Sequence, residues 1–135
     1  MKEIADENGL ELIEDAAQAH GATHAGVKAG ALGHAASFSF YATKNMTTSE
    51  GGMITTNDIE VAEFAKRFRQ HGMDTVGTYA YKHLGYNYRT NDISAAIGRV
   101  QLKKLPSWNS RRLEIAEELN RSLSKIDGIS TPFKP

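Results

Sequence analysis

The chain has 135 residues, room for one modest domain and not for two. Hydrophobic residues make up 40 % and charged residues 24 %, an ordinary balance for a water-exposed globular chain. Lys+Arg and Asp+Glu both number 16, which argues against a general nucleic-acid binder with its basic excess, and the absence of cysteine excludes disulfides and thiolate metal sites. Zero cysteine also fits a cytoplasmic protein. No apolar run approaches the roughly 20 residues that span a bilayer, and the acidic N-terminus MKEIADENGLELIEDAA lacks a signal-peptide core. Both ends read as cut from something longer, since the chain opens inside a helical pattern and stops just after another.

In chain order, residues 2–8 read as a short helix ended by Gly9. Residues 10–14 (LELIE) read as a strand, and the small-residue stretch 16–22 as a loop leading into a helical turn. Gly26, Gly30 and Gly33 mark a flexible connection. Residues 36–41 (ASFSFY) form a second strand, with Phe38 and Phe40 on one face and Ser37 and Ser39 on the other; residues 52–56 (GMITT) form a third.

The period then changes from two to 3.6. Asn57 or Asp58 caps a helix with Val61, Phe64, Ala65 and Phe68 as its apolar stripe, and Gly72 ends it. Residues 73–90 show no clear period and read as a long loop. Asn91 or Asp92 starts another helix with Ile93, Ala96, Ile97 and Val100 on one face. Pro106 fits the first turn of a final helix carrying Ile115, Leu119, Leu123 and Ile126. Strands alternating with helices predict an α/β layer arrangement. Three short strands make a poor sheet alone, so more of the sheet is expected outside the chain.

The densest polar cluster is Tyr41-Ala42-Thr43-Lys44-Asn45-Met46-Thr47-Thr48-Ser49-Glu50-Gly51-Gly52, between two predicted strands. A desolvated lysine loses part of its preference for the charged form, and its free amine can attack a carbonyl to form a Schiff base. A solvated surface lysine would look the same at this level. Ser39, on the polar side of its strand, is placed to bond a phosphate oxygen. Asp15 stands just beyond a strand end, where it would face a ligand crevice or cap a helix. His20, His24 and His34 show no metal-ligand spacing and read as polar loop histidines; His71, at a helix end, reads as structural, and no metal site is expected. Lys82 and Arg89 are too few beside Tyr79, Tyr81, Tyr86 and Tyr88 for a nucleic-acid platform.

Five segments occur in order: Glu14-Asp15-Ala16-Ala17-Gln18-Ala19-His20-Gly21-Ala22, Ser37-Phe38-Ser39-Phe40-Tyr41-Ala42-Thr43-Lys44-Asn45, Glu50-Gly51-Gly52-Met53, Arg69-Gln70-His71-Gly72 and Gly85-Tyr86-Asn87-Tyr88-Arg89. The series resembles the DegT/DnrJ/StrS family of nucleotide-sugar aminotransferases, from about Ile4 to Leu123. The resemblance implies a partial large domain of a pyridoxal-phosphate-dependent transferase of fold type I, aspartate-aminotransferase-like, a three-layer α/β/α arrangement truncated at both ends. Residues 1–105 would be the central part of that domain, and residues 106–135 a helix leading toward a small C-terminal domain.

The resemblance also assigns roles. Lys44 would carry pyridoxal 5'-phosphate as a Schiff base and move protons between the substrate carbon and the cofactor. Asp15 would pair with the pyridine nitrogen, keeping it protonated so that the ring acts as an electron sink. Gln18 would lie near the ring hydroxyl, Ser39 would bind the phosphate, and Asn87 would reach the phosphate from the neighbouring subunit of a homodimer. The implied reaction moves an amino group from an amino acid, glutamate, to a nucleotide-linked keto-sugar. Lysine at position 44, not the histidine of the sugar-dehydrating branch, favours transamination. The competing expectation is a non-catalytic fragment or regulatory relative that keeps these motifs. Ser49 departs from the family pattern, which has glycine there; a positive φ at that position would cost serine some strain.

Overall fold

A computed structural model describes residues 1–74 and 79–132. Residues 75–78 of the expected 73–90 loop, and the last three residues of the chain, lie outside them. The elements run α1 (Lys2–Glu7), β1 (Ile13–Asp15), β2 (Thr23–His24), β3 (Val27–Lys28), β4 (Ala35–Ser39), β5 (Gly52–Thr56), α2 (Ile59–Phe68) and α3 (Asp92–Leu123).

Three strands form one sheet in the order β1-β4-β5. β1 and β4 are parallel, with Ile13, Glu14 and Asp15 opposite Ala35, Ala36 and Ser37. β4 and β5 are antiparallel, from Ala35 opposite Thr56 to Ser39 opposite Gly52. Paired residues in register share a face, and every second residue along a strand returns to it. One face therefore carries Ile13, Asp15, Ser37, Ser39 and Ile54, and the other Glu14, Ala36, Phe38 and Met53.

The parallel pair needs a crossover, and residues 16–34 supply it. The expected flexible connection at Gly26 and Gly30 is instead an antiparallel hairpin of β2 and β3, with Thr23 opposite Lys28 and His24 opposite Val27. Ala25 and Gly26 form its turn with φ of 48° and 80°, the left-handed pair that a two-residue hairpin loop requires. The segment from Gly30 to Gly33 is then fastened to β1 by Glu14. Its carboxylate accepts backbone N–H bonds from Gly30 (2.8 Å), Leu32 (2.7 Å) and Gly33 (2.8 Å). Partial burial pushes the Glu14 carboxyl upward, but the three backbone donors outweigh it and leave the group below the usual glutamate value.

Of the two candidate caps for α2, Asp58 is the one used, accepting from the amides of Glu60 and Val61. α2 packs against β5, yet none of its residues is fully buried, and Val61 and Phe64 of its apolar stripe stay exposed. Phe68 meets the stacked rings of Tyr86 and Tyr88 at a tilt. Gly72, at φ +75°, lies against the backbone of His83 and Gly85, so the chain closes on itself there.

Asn91 caps α3 through the amide of Ser94. The expected helix start at Pro106 is not observed: α3 is one helix of 32 residues with Pro106 inside it. Proline removes one N–H and so one i→i−4 bond, the one that would reach Leu102. Leu102 lies on the exposed side, where water can serve its carbonyl, and the turns on either side carry the helix through. The packing face of α3 also differs from expectation. Ile93, Ile97 and Val100 are exposed. The helix meets the sheet layer through Gly98, Gln101, Leu105 and Asn109, a stripe at helical spacing, and Leu105 is its one buried side chain.

The core beneath the closed face is small: Ala5, Ala16, Ala36, Met46 and Leu105 are buried, together with His20 and Thr48. The opposite face is open, with Ile13 71 % and Ile54 59 % exposed. No helix among the described residues is long and apolar enough to cross a membrane.

Candidate functional site

The open sheet face carries two of the candidate polar groups, Asp15 and Ser39. Asp15 ends β1, and its Oδ1 accepts the Ala17 amide at 3.0 Å. That local turn is the capping geometry expected of Asp15, but the chain forms only a turn after it and not a helix. The carboxylate is exposed and has no cationic partner among the described residues, so Oδ2 is open to a ligand donor. Ser39 lies on the same face, one strand across and two residues beyond the Asp15–Ser37 pair. Ideal sheet spacings put the two Cα atoms about 8 Å apart. The Ser39 Oγ accepts the Tyr41 amide at 3.3 Å, which leaves its O–H free to donate. Gly52, opposite Ser39, leaves no side chain beside it. Gln18 is exposed in the turn after β1.

Lys44 is carried by a loop that Phe40 closes at the base. The Phe40 amide donates to the Gly51 carbonyl at 2.8 Å. Its carbonyl accepts both the Thr48 amide and the Thr47 hydroxyl, each at 3.0 Å. Inside the loop, the Lys44 amide donates to the Tyr41 carbonyl at 3.0 Å. Ser49 donates its amide to Thr47 Oγ1, at 2.9 Å. Ser49 has φ +73°, so the strain anticipated for serine here is present. The half-buried Lys44 side chain has no hydrogen-bond or ion-pair partner among the described residues, and its amine is therefore not tied up in a salt bridge.

α3 braces this loop from behind. Gln101 Oε1 accepts the Thr47 amide at 3.2 Å. A Cβ on Gly98 would come within 2.9 Å of Thr48 Cγ2, so glycine lets the helix lie close. Further along the same stripe, Asn109 Nδ2 donates to the His20 carbonyl at 2.8 Å. One helix thus touches both the lysine loop and the turn that follows Asp15.

Asn87 is elsewhere. It is bridged to Gln70, and its Oδ1 accepts from Arg89 Nε at 3.0 Å. No hydrogen bond joins it to residues 15–52 among the described residues. His20, Gln101 and Asn109 carry no motif of their own as single letters, and only packing exposes their part. His20 was expected as a solvated loop histidine; it is 4 % exposed and bonded to the sheet. His34 is also partly buried, accepting the Leu12 amide at its Nδ1 at 2.7 Å. Among the described residues no group of three or more His, Asp or Glu is gathered as a metal site.

The donor set fits pyridoxal phosphate. Asp15, with an open carboxylate oxygen, and Ser39, with a hydroxyl free to donate, stand at the carboxyl ends of a parallel strand pair, the usual place for a ligand crevice in an α/β sheet. The loop that follows Ser39 carries Lys44, a primary amine unpaired among the described residues. The model of the DegT/DnrJ/EryC1/StrS aminotransferase family matches residues 1–135. The chain belongs to this family. It is 42 % identical over 124 residues to a GDP-perosamine synthase of Caulobacter vibrioides, covering 92 % of this chain and 33 % of that protein. It is 40 % identical over 133 residues to a dTDP-3-amino-3,4,6-trideoxy-alpha-D-glucose transaminase of Streptomyces venezuelae, covering 98 % and 35 %. The solved structure of Helicobacter pylori PseC, an aminotransferase involved in the biosynthesis of pseudoaminic acid, superposes with a TM-score of 0.88 at 35 % identity, over 93 % of this chain and 34 % of that one. The α/β fold of this family member is thus that of the fold-type-I aminotransferases, although the chain spans only about a third of the length of the curated relatives it matches.

Proposed function

We propose that this chain is the cofactor-bearing section of a pyridoxal-phosphate-dependent aminotransferase that moves an amino group from an amino acid, glutamate, to a nucleotide-linked keto-sugar. The observation that carries the reading is the unpaired Lys44 amine on a loop pinned at Phe40, beside a sheet face bearing Asp15 and Ser39. The substrate class follows the relatives, one named for a GDP-linked and another for a dTDP-linked amino sugar. Their different nucleotides leave the base unassigned.

Pyridoxal phosphate, when bound, supplies an electron sink for the carbon that exchanges nitrogen. The Lys44 Nζ holds the cofactor covalently and, once released, takes and returns the proton at the substrate carbon. The open Asp15 oxygen accepts a hydrogen bond from the ring nitrogen and stabilises its protonated form. The Ser39 hydroxyl donates to the phosphate, and Gln18 lies by the ring hydroxyl. Asn87, set apart from the other four, serves the phosphate of a second copy in a cytoplasmic homodimer. Residues 1–105 form part of the cofactor domain, and the half of α3 beyond Pro106 leads toward a smaller second domain.

Mixing the protein with pyridoxal phosphate should develop visible absorbance and, after borohydride, a mass adduct on Lys44 that Lys44→Ala abolishes. No absorbance and no adduct would overturn the proposal for this chain. The exposure of Ile13 and Ile54 favours a second reading, in which the section keeps its motifs but holds no cofactor until further protein covers that face. A colourless mixture is the outcome that reading expects.

A further inference from the structure

His20 is a polar side chain in an apolar place. It is 4 % exposed and lies against the rings of Phe38 and Phe40, with centroids at 5.6 and 6.0 Å. Its Nε2 is 2.7 Å from the Ser39 carbonyl oxygen. A carbonyl only accepts, so Nε2 carries a proton, and in the neutral ring Nδ1 is then bare. Nδ1 is buried and has no partner among the described residues.

The sheet explains why a side chain is needed there. In a parallel pair the donors from one strand reach every second carbonyl of its neighbour. The Ala16 amide donates to the Ser37 carbonyl at 2.9 Å. The next carbonyl in that row is Ser39, whose strand donor would be the amide of residue 18. β1 has ended by then, and the chain has turned away with Gln18 exposed. His20 folds back and supplies the missing donor, so the Ser39 carbonyl stays paired while the turn leaves the strand. The histidine is itself fixed: Asn109 Nδ2 holds its carbonyl at 2.8 Å, and Gly21, at φ +80°, leaves the space in which that amide sits.

We propose that His20 is a positioning residue for the cofactor site: its Nε2–H holds Ser39 in register with the Asp15–Gln18 turn. The proposal rests on reading Asp15, Gln18 and Ser39 as cofactor contacts. His20 touches neither the cofactor nor a reacting atom; it sets the spacing between the turn that meets the ring and the serine that meets the phosphate.

Three measurements test this on the protein: 15N NMR of the imidazole, titration with pyridoxal phosphate read by visible absorbance, and urea midpoints of the same samples. The 15N spectrum should show His20 protonated at Nε2 and bare at Nδ1. His20→Leu removes the donor and should weaken cofactor uptake about five- to tenfold, the worth of one hydrogen bond. His20→Gln, whose side-chain N–H can reach the same carbonyl, should return uptake to within about twofold of the parent. Affinity should follow the donor and not the urea midpoint. Equal uptake by the Gln and Leu variants, losses that track the urea midpoints, or an Nδ1-protonated ring would each overturn the proposal while leaving the cofactor reading intact. A parent protein that takes up no pyridoxal phosphate would instead overturn the cofactor reading, and this proposal with it.

Discussion

Replacing Glu14 by glutamine changes one atom and should loosen the crossover. Oε1 of Glu14 takes the amides of Leu32 and Gly33, and Oε2 takes that of Gly30. A glutamine can keep its oxygen on the pair, but it then turns an NH2 group toward the Gly30 N–H, donor against donor. One charge-assisted bond is lost, two become neutral, and one amide is orphaned. A hydrogen bond to a charged group is worth roughly 1.5–3 kcal/mol and an unpaired amide costs a similar amount. Glu14 is only partly shielded, so water restores some of this, and the expected loss is about 2 kcal/mol. Urea unfolding followed by far-UV circular dichroism at neutral pH reads it directly, and amide exchange at Gly30, Leu32 and Gly33 should speed up together. The pH dependence has a fixed sign. The folded carboxyl lies below its ordinary value of 4.5, so its stabilisation is complete above that value and is lost as pH falls through the folded one. The gap between parent and Glu14→Gln should therefore be flat from neutral pH down to about pH 5 and shrink below it. A loss under about 0.5 kcal/mol, or a gap that widens on acidification, would refute the three-donor account.

Ser49→Gly should relieve the left-handed backbone at φ +73° and raise stability by roughly 0.5 kcal/mol, net of the extra freedom glycine gains when unfolded, whereas Ser49→Val should lower it; thermal melts of the three proteins decide the order. Gly72→Ala places a Cβ against the His83 carbonyl in a left-handed conformation, and should cost about 2 kcal/mol or more, visible as faster amide exchange at Tyr86. Gln101→Leu keeps the bulk of the side chain but leaves the Thr47 amide without its acceptor; Lys44 adduct formation should slow while α3 helicity by circular dichroism is unchanged. Unchanged adduct formation would show that the helix does not brace the loop.

The parts of this fold that could be read from residue order are those held by local chemistry. α1 and β5 fall where expected, because a C-terminal glycine and a short β-rich run fix them at close range. Asp58 and Asn91 cap their helices through their own side chains, so residue order narrows each cap to two neighbouring candidates. The features that escaped reading depend on contacts distant in sequence. Two-residue strands such as β2 and β3 have no periodicity to detect, and the segment after them is ordered by long-range bonds, from Glu14 reaching 16 to 19 residues ahead and from Thr55 to the Gly30 carbonyl. Pro106 resembles a helix start because proline suits a first turn; inside a long helix its cost of one bond is outweighed by the turns around it. The apolar residues of α3 suggested a packing face, yet the helix is seated by a glycine, a glutamine, one leucine and an asparagine. For the site, strand alternation put Ser39 on the polar sheet face and the end of a strand put Asp15 near it. The polar loop alone did not set Lys44 apart from a solvated surface lysine, and its role came only with the family resemblance. The burial of His20 was not legible, since its place in the Glu14–Ala22 segment says nothing of packing; His24, four residues on, is exposed.

The manner in which α3 is seated makes it a lever. Its grip on the rest of the chain lies between Gly98 and Asn109, and Leu105 is the fulcrum. From Leu105 to Leu123 the arm measures about 27 Å, and from Leu105 back to Gln101 about 6 Å. A tilt of about 5° at the fulcrum swings the long end by roughly 2.4 Å and the Gln101 end by about 0.5 Å. Half an ångström is the tolerance within which a working constellation is held. The long arm thus reduces displacement more than fourfold, roughly, before it reaches the loop that carries Lys44. A rigid tilt of the far end would therefore reach the lysine loop as a fine displacement.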